Sequence, residues 1–225
     1  MLADWTINKS NVTTIEDGIY TISPMVGTGS LRLKDNDNTN LNMYNTTYTN
    51  GLTRGRMRML IRIMAQGGTD PYRTGFYFHT NNLSIVTGIT QIFYTAHIRL
   101  DASTSARTYV FSYYSGGMGG TEQAFFVSSP ISMMTNGVSV LPLEVEWQTE
   151  SELGGVRVFI RGSLTASSLT NFTNMTTLST LIVQNPPYVI NTSLGEGLYY
   201  YGGVSMPGGS EIEYDQISIN KLTPI

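Results

Sequence analysis

Residues 141–163, LPLEVEWQTESELGGVRVFIRGS, keep a two-residue alternation on both sides of a turn. Leu141, Leu143, Val145 and Trp147 fall on one face of the first half, and Glu144, Glu146 and Gln148 on the other, which is the period of a half-buried pleated strand. The second half sets Val156, Val158 and Ile160 against Arg157, Phe159 and Arg161. Leu153-Gly154-Gly155 stands between them, where glycine makes positive φ inexpensive. The pattern predicts a β-hairpin whose apolar rows meet in a core. Its glutamates should face its arginines across a wet outer surface, each such pair contributing ~0.2–1 kcal/mol.

The same period recurs along the chain. In RMRMLIRIM, residues 56–64, Met57, Met59, Ile61 and Ile63 line a core, while Arg56, Arg58 and Arg62 point outward. Further strands are predicted over 75–79, 90–100, 107–114, 124–127, 138–140, 181–183 and 211–219, with a shorter one at 31–33. Glu16-Asp17-Gly18 reads as a turn between two short opening strands, and Gly197–Tyr201 as a tyrosine-rich strand or loop. Residues 44–51 read as a polar connection and 115–120, SGGMGG, as a mobile loop. Leu164, Leu169, Phe172, Met175 and Leu178 make 163–180 the one stretch where a helical turn or two is expected. No long element keeps the 3.6-residue helical period. Many short strands at regular spacing predict an all-β antiparallel sandwich or jelly roll with at most short helical turns. We read residues 1–225 as a single domain, a common size for such folds.

Composition narrows the function classes. The chain has no cysteine, which removes disulfides, thiolate metal sites and cysteine nucleophiles. A net charge of -3 gives no basic footprint for nucleic acid, and no apolar run is long enough to insert into a membrane. Charged residues make up 13% of the chain, about half the usual ~25%, so Asn, Thr, Ser, Tyr and Gly must cover much of the surface. The opening residues Met1–Thr6 lack the basic start and apolar run of a secretory signal. The Asn-x-Ser/Thr triplets at Asn8, Asn11, Asn45, Asn82, Asn171, Asn174 and Asn191 are then attributed to the abundance of Asn and Thr.

The segment LEVEWQ (143–148), the strand VRVFIRGS (156–163) and the closing strand IEYDQISI (212–219) together resemble the concanavalin A-like, laminin-G-like jelly-roll superfamily. Trp5 and Asp17-Gly18-Ile19-Tyr20 are similar to its first strands. The resemblance implies two curved antiparallel sheets, with a concave face or the loops of one edge as the ligand site. Glucanases on this fold place a nucleophile and an acid on one strand as Glu-x-Asp-x-x-Glu or Glu-x-Asp-x-Glu, which makes Glu144, Glu146 and Glu150 worth weighing. Here the middle residue is Glu and the third acid arrives late. A retaining pair needs carboxyls about 5–5.5 Å apart, and the nearby arginines favour an ionic face over catalysis.

Other candidates are few. Asp35 and Asp37, in DNDNTN, offer hard oxygen ligands at alternate positions of the kind Ca²⁺ takes. They form no EF-hand, since Asn40 and Thr46 stand where Gly and Glu are required. Calcium is the only cofactor left open. His79 and His97 lie in predicted strands without a Gly-x-Ser-x-Gly elbow and are expected to be half-buried. Tyr199, Tyr200, Tyr201, Tyr113, Tyr114 and Tyr72, near glycine-rich loops, could stack on sugars or anchor a protein interface. The uncharged polar coat and missing cysteine are similar to bacteriophage virion proteins. The expectation is a non-enzymatic capsid decoration or head/tail fibre module on the virion surface, docked on other virion proteins and self-associating. A lectin-like module for host surface glycans is the alternative, and a glycoside hydrolase the third.

Overall fold

The structure is a computed structural model, described here for residues 5–10, 18–22, 30–35, 40–45, 52–65, 73–80, 92–100, 106–118, 120–150, 155–184, 197–201 and 210–223. The strands run β1 (Trp5–Ser10), β2 (Gly18–Ile22), β3 (Ser30–Asp35), β4 (Asn40–Asn45), β5 (Arg54–Ala65), β6 (Arg73–Phe78) and β7 (Ile92–Leu100). They continue as β8 (Arg107–Ser115), β9 (Thr121–Val127), β10 (Val140–Glu150), β11 (Gly155–Gly162), β12 (Thr176–Gln184), β13 (Gly197–Tyr201) and β14 (Ser210–Lys221). They form two seven-stranded sheets, β1-β4-β13-β6-β7-β8-β9 and β12-β11-β10-β5-β14-β3-β2. The ladder pairings are antiparallel, and no residue described is helical.

The expected hairpin is β10–β11, with Val145 opposite Ile160 and Trp147 opposite Val158. Its apolar rows, from Leu141 to Trp147 and from Val156 to Ile160, are buried in one cluster with Met57, Met59, Ile61 and Ile63 of β5. Facing them from the first sheet are Phe76, Phe78, Tyr94, Tyr109 and Phe111. Trp147 stacks on Phe78 with ring centroids 4.6 Å apart, and its Nε1 donates to the Leu52 carbonyl at 3.0 Å. The indole fits because Gly55 stands opposite: a Cβ there would lie 2.4 Å from the ring. Two buried hydrogen bonds made by hydroxyls also tie the sheets together. Tyr109 donates to the Pro142 carbonyl at 3.0 Å, and Thr74 and Tyr214 share a hydrogen bond of 2.6 Å.

Several local expectations are corrected. The two opening strands are present and belong to different sheets, β1 joining β4 in the first and β2 joining β3 in the second. The turn residues between them lie outside the described residues. Residues 40–45, NLNMYN, form β4, because pairing with both β1 and β13 supplies what the polar sequence lacks. Residues 163–175 hold no helical turn: Thr165 and Ser167 make isolated bridges to Ser132 and Val140, and β12 begins at Thr176. Val138 ends a turn instead of opening a strand, with Gly137 at φ 76° and its amide bonded to the Ile63 carbonyl at 2.8 Å. The glycine-rich connection after β8 is a turn as well. Gly116 and Gly117 take positive φ, and Met118 packs down against Tyr77, Phe93 and Tyr114.

Candidate functional site

Alternation along β6 to β9 puts a polar set on the outer face of the first sheet. Arg73 of β6 pairs in register with Arg99 of β7, Gly75 with His97, and Tyr77 with Thr95. Thr95 pairs with Ser112 of β8, and Tyr114 with Glu122 of β9. Like charges set opposite each other repel, so Arg73 and Arg99 need a shared anion. Glu122 supplies it: Arg73 Nε donates to Oε2 at 2.9 Å, and Arg99 Nη1 lies 3.7 Å from the same oxygen.

His97 sits beneath these charges and is fully buried. Its Nδ1 lies 2.9 Å from the Thr95 hydroxyl, which is 2.9 Å from the Ser112 hydroxyl, and its Nε2 faces Glu122 Oε1 at 3.4 Å. Burial pushes the imidazole down to about 3; Glu122 pulls the other way, while Arg73 and Arg99 add to the depression. The ring is therefore neutral at pH 7. The tautomer that suits both contacts carries its proton on Nε2 toward Glu122 and accepts at Nδ1 from Thr95. Burial also pushes the Glu122 carboxyl up. The Arg73 guanidinium, a hydrogen bond from Ser112 and the charge of Arg99 outweigh it, so Glu122 ionises below the ordinary carboxylate range. Beside the cluster on the same face, Tyr77, Phe93, Tyr114 and Met118 form a second apolar group, with Phe93 and Tyr114 stacked at 5.1 Å. Burial likewise pushes the Tyr114 phenol up, so it stays protonated.

The outer face of the second sheet is different in kind. Glu146 accepts from Arg54 at 3.0 Å and from Arg56 at 2.8 Å, and Glu144 is paired with Arg161 and, at 3.9 Å, with Arg56. Glu213 is held between Arg32 and Arg62, the Nε of Arg62 donating at 2.6 Å. Arg58 stacks on Phe172, 4.7 Å above its ring. Thus the hairpin acids face arginines as expected, but two of the three arginines, Arg54 and Arg56, come from β5: Glu146 stands opposite Phe159 in the hairpin and Arg56 on β5. Nor is this face wet, since Glu144, Glu146, Glu213 and Asp215 are all buried. Burial pushes the Glu146 carboxyl up, and hydrogen bonds and charge from Arg56 and Arg54 more than reverse it. A proton-donating acid requires a shift in the opposite direction. Glu150 ends β10, paired in register with Gly155.

The tyrosines named from the sequence are distributed unevenly. Tyr113 lies in the main core and Tyr114 beside the charged cluster on the outer face, both buried. Tyr199 and Tyr201 pair with Gly75 and Arg73, at register positions of the face that carries the cluster, while Tyr200 pairs with Thr74. Tyr72 and Asp37 lie outside the described residues. Asp35 ends β3 opposite Ser210. No group of three or more His, Cys, Asp or Glu able to hold a metal ion occurs among the described residues. Neither histidine is half-buried as expected. His97 is at 0% exposure and His79 at 1%, the latter past the end of β6 with φ 50° and edge-on to Trp147 and Tyr94. Sequence reasoning passed over Arg73, Arg99 and Glu122. The signal lay in the register of four successive antiparallel strands.

With that geometry in place, solved structures give the comparison. A Bacteroides ovatus GH16 protein of a mixed linkage glucan PUL, in complex with a G4G4G3G product, superposes with TM-score 0.57 at 9% identity, over 96% of this chain and 94% of that one. The fold is a concanavalin A-like jelly roll. The alginate lyase vAL-1 from Chlorella virus gives TM-score 0.56 at 8% identity, over 97% and 93% of the two chains. The metal-free carbohydrate recognition domain of Emp46p gives 0.54 at 11% identity, over 99% and 90%. No protein-family model matches the chain, and no curated protein matches its sequence.

Proposed function

We propose that this jelly roll binds carbohydrate without catalysis, through the outer face of its first sheet, and does so on the surface of a virion. The observation that carries the binding reading is the arrangement of Arg73, Arg99 and Glu122 over His97. It fixes planar donors and an acceptor on a rigid sheet, so little ordering entropy is lost when sugar hydroxyls replace water. Tyr199 and Tyr201 share the register of this face. The non-catalytic reading is supported by Glu144 and Glu146, each locked by arginines, and by the burial of both histidines. The virion reading is supported by the low charge and absent cysteine.

The test is a glycan array with the wild-type chain and Arg99→Ala. At least one glycan should bind, and Arg99→Ala should weaken that binding about tenfold or more. A folded chain that binds no glycan, or an Arg99→Ala variant that binds as well as wild type, rejects the site. Reducing-end release from the bound glycan, abolished by Glu146→Gln, rejects the non-enzymatic reading. Mass spectrometry of purified particles should find the chain in stoichiometric amount, and its absence there rejects the virion setting.

A further inference from the structure

Each sheet has two edges: β1 and β9 in the first, β12 and β2 in the second. Natural sandwiches blunt such edges with lysine, proline, bulged ends or short strands, because an open ladder is a template for further pairing. β12 is the longest of the four, nine residues, TTLSTLIVQ, with neither a charge nor a proline in it. A bulge at Leu178 interrupts its pairing with β11, so the regular ladder runs over residues 179–184, about 20 Å at ~3.3 Å per residue. Among the described residues, no strand pairs with its other side. Thr176, Thr177 and Thr180 are exposed, and so is Ile182 at 45%. The neighbouring edge adds to the same flank. Tyr109 of β8 meets Gly162 of β11, so β9 lies beside β12 across the sandwich, with Val127 44% exposed.

From this open edge we infer that β12 is a docking strand for a second copy of the chain, the two strands pairing antiparallel about a two-fold axis. The occupant follows from charge. A two-fold axis brings a strand against itself, so any charged side chain near the axis meets its own like. β9 carries Glu122 and β1 carries Lys9, whereas β12 brings only Thr, Ser, Leu, Ile, Val and Gln together. The uncharged alternative, β2, has five residues. Pairing through β12 joins the second sheets of two copies into one fourteen-stranded sheet, with Ile182 covered. It leaves the charged cluster on the first sheet accessible in both copies, so the dimer neither requires nor blocks that site.

Sedimentation velocity across the micromolar range tests this. Wild type should dimerise with concentration, and Thr180→Lys and Ile182→Lys should each raise the dissociation constant about tenfold or more, while Val138→Lys, exposed on a turn, leaves it unchanged. Circular dichroism melting establishes that each variant is folded. The cysteine-free chain also permits a geometric readout: single cysteines at Thr177, Thr180 and Ile182, oxidised in dilute solution, should give a covalent dimer at the position nearest the axis. A wild type that stays monomeric, lysine variants that dimerise as well as wild type, or failure of all three cysteines to link overturns the inference.

Discussion

Gly55 illustrates how one residue sets the packing around it. The Trp147 indole occupies the space that its side chain would need, so Gly55→Ala must push the ring off Phe78 or bend β5. Overpacking of this kind costs about 1–3 kcal/mol, which urea denaturation of the variant should return. The two histidines make a second prediction at this scale. Burial holds His79 down to about 4 and His97 down to about 3, while in the unfolded chain each takes up a proton near pH ~6.5. Below that value the unfolded state binds more protons. Stability is therefore full above pH ~6.5 and declines as pH falls through the window down to the folded values, with a slope approaching about 2.7 kcal/mol per pH unit for two groups. Neither ring nitrogen of His79 has a hydrogen-bond partner among the described residues. His79→Asn, which tolerates the left-handed backbone, should halve the slope between pH 6 and pH 5 in denaturation measured at each pH.

Among the elements, β14 depends most on arrangement. It runs between β3 and β5 and breaks register between Asp215 and Ser218, where Gln216 takes φ 50° and its amide is capped by the Asp215 carboxylate at 2.7 Å. A left-handed residue with a Cβ stores roughly 1 kcal/mol. Gln216→Gly should recover a fraction of that in the midpoint of thermal unfolding, and Gln216→Val should lower the midpoint. On the same strand Glu213 is buried between Arg32 and Arg62. Glu213→Gln removes the anion from two cations, and such a break costs about 3 kcal/mol, readable as a lower denaturation midpoint with unchanged slope. The alternation that predicted β5, β10 and β11 was legible because each buries one face. β4 was not legible: Leu41 and Met43 alternate with Asn40 and Asn42, but over only four residues set between polar runs, and its place comes from its neighbours.

For the molecule as a whole, one cluster of buried side chains runs from Leu31 on β3 to Phe111 on β8 and Trp147 on β10, spanning both sheets. Because each sheet buries its inner face only against the other, thermal unfolding should show one transition by both far-ultraviolet circular dichroism and tryptophan fluorescence; two separated transitions would contradict a single cooperative unit. The sequence by itself determined the all-β class, the inward faces of β5, β10 and β11, and the placing of hairpin glutamates against arginines, because a period of two is a local property of a strand with one buried side. Only the tertiary structure decided which strands are neighbours. That order separates β1 from β2, turns arginines of β5 toward Glu144 and Glu146, and brings Arg73, His97, Arg99 and Glu122 onto one face. Pairing between distant strands depends on the fit of whole faces, and no window along the chain contains both partners.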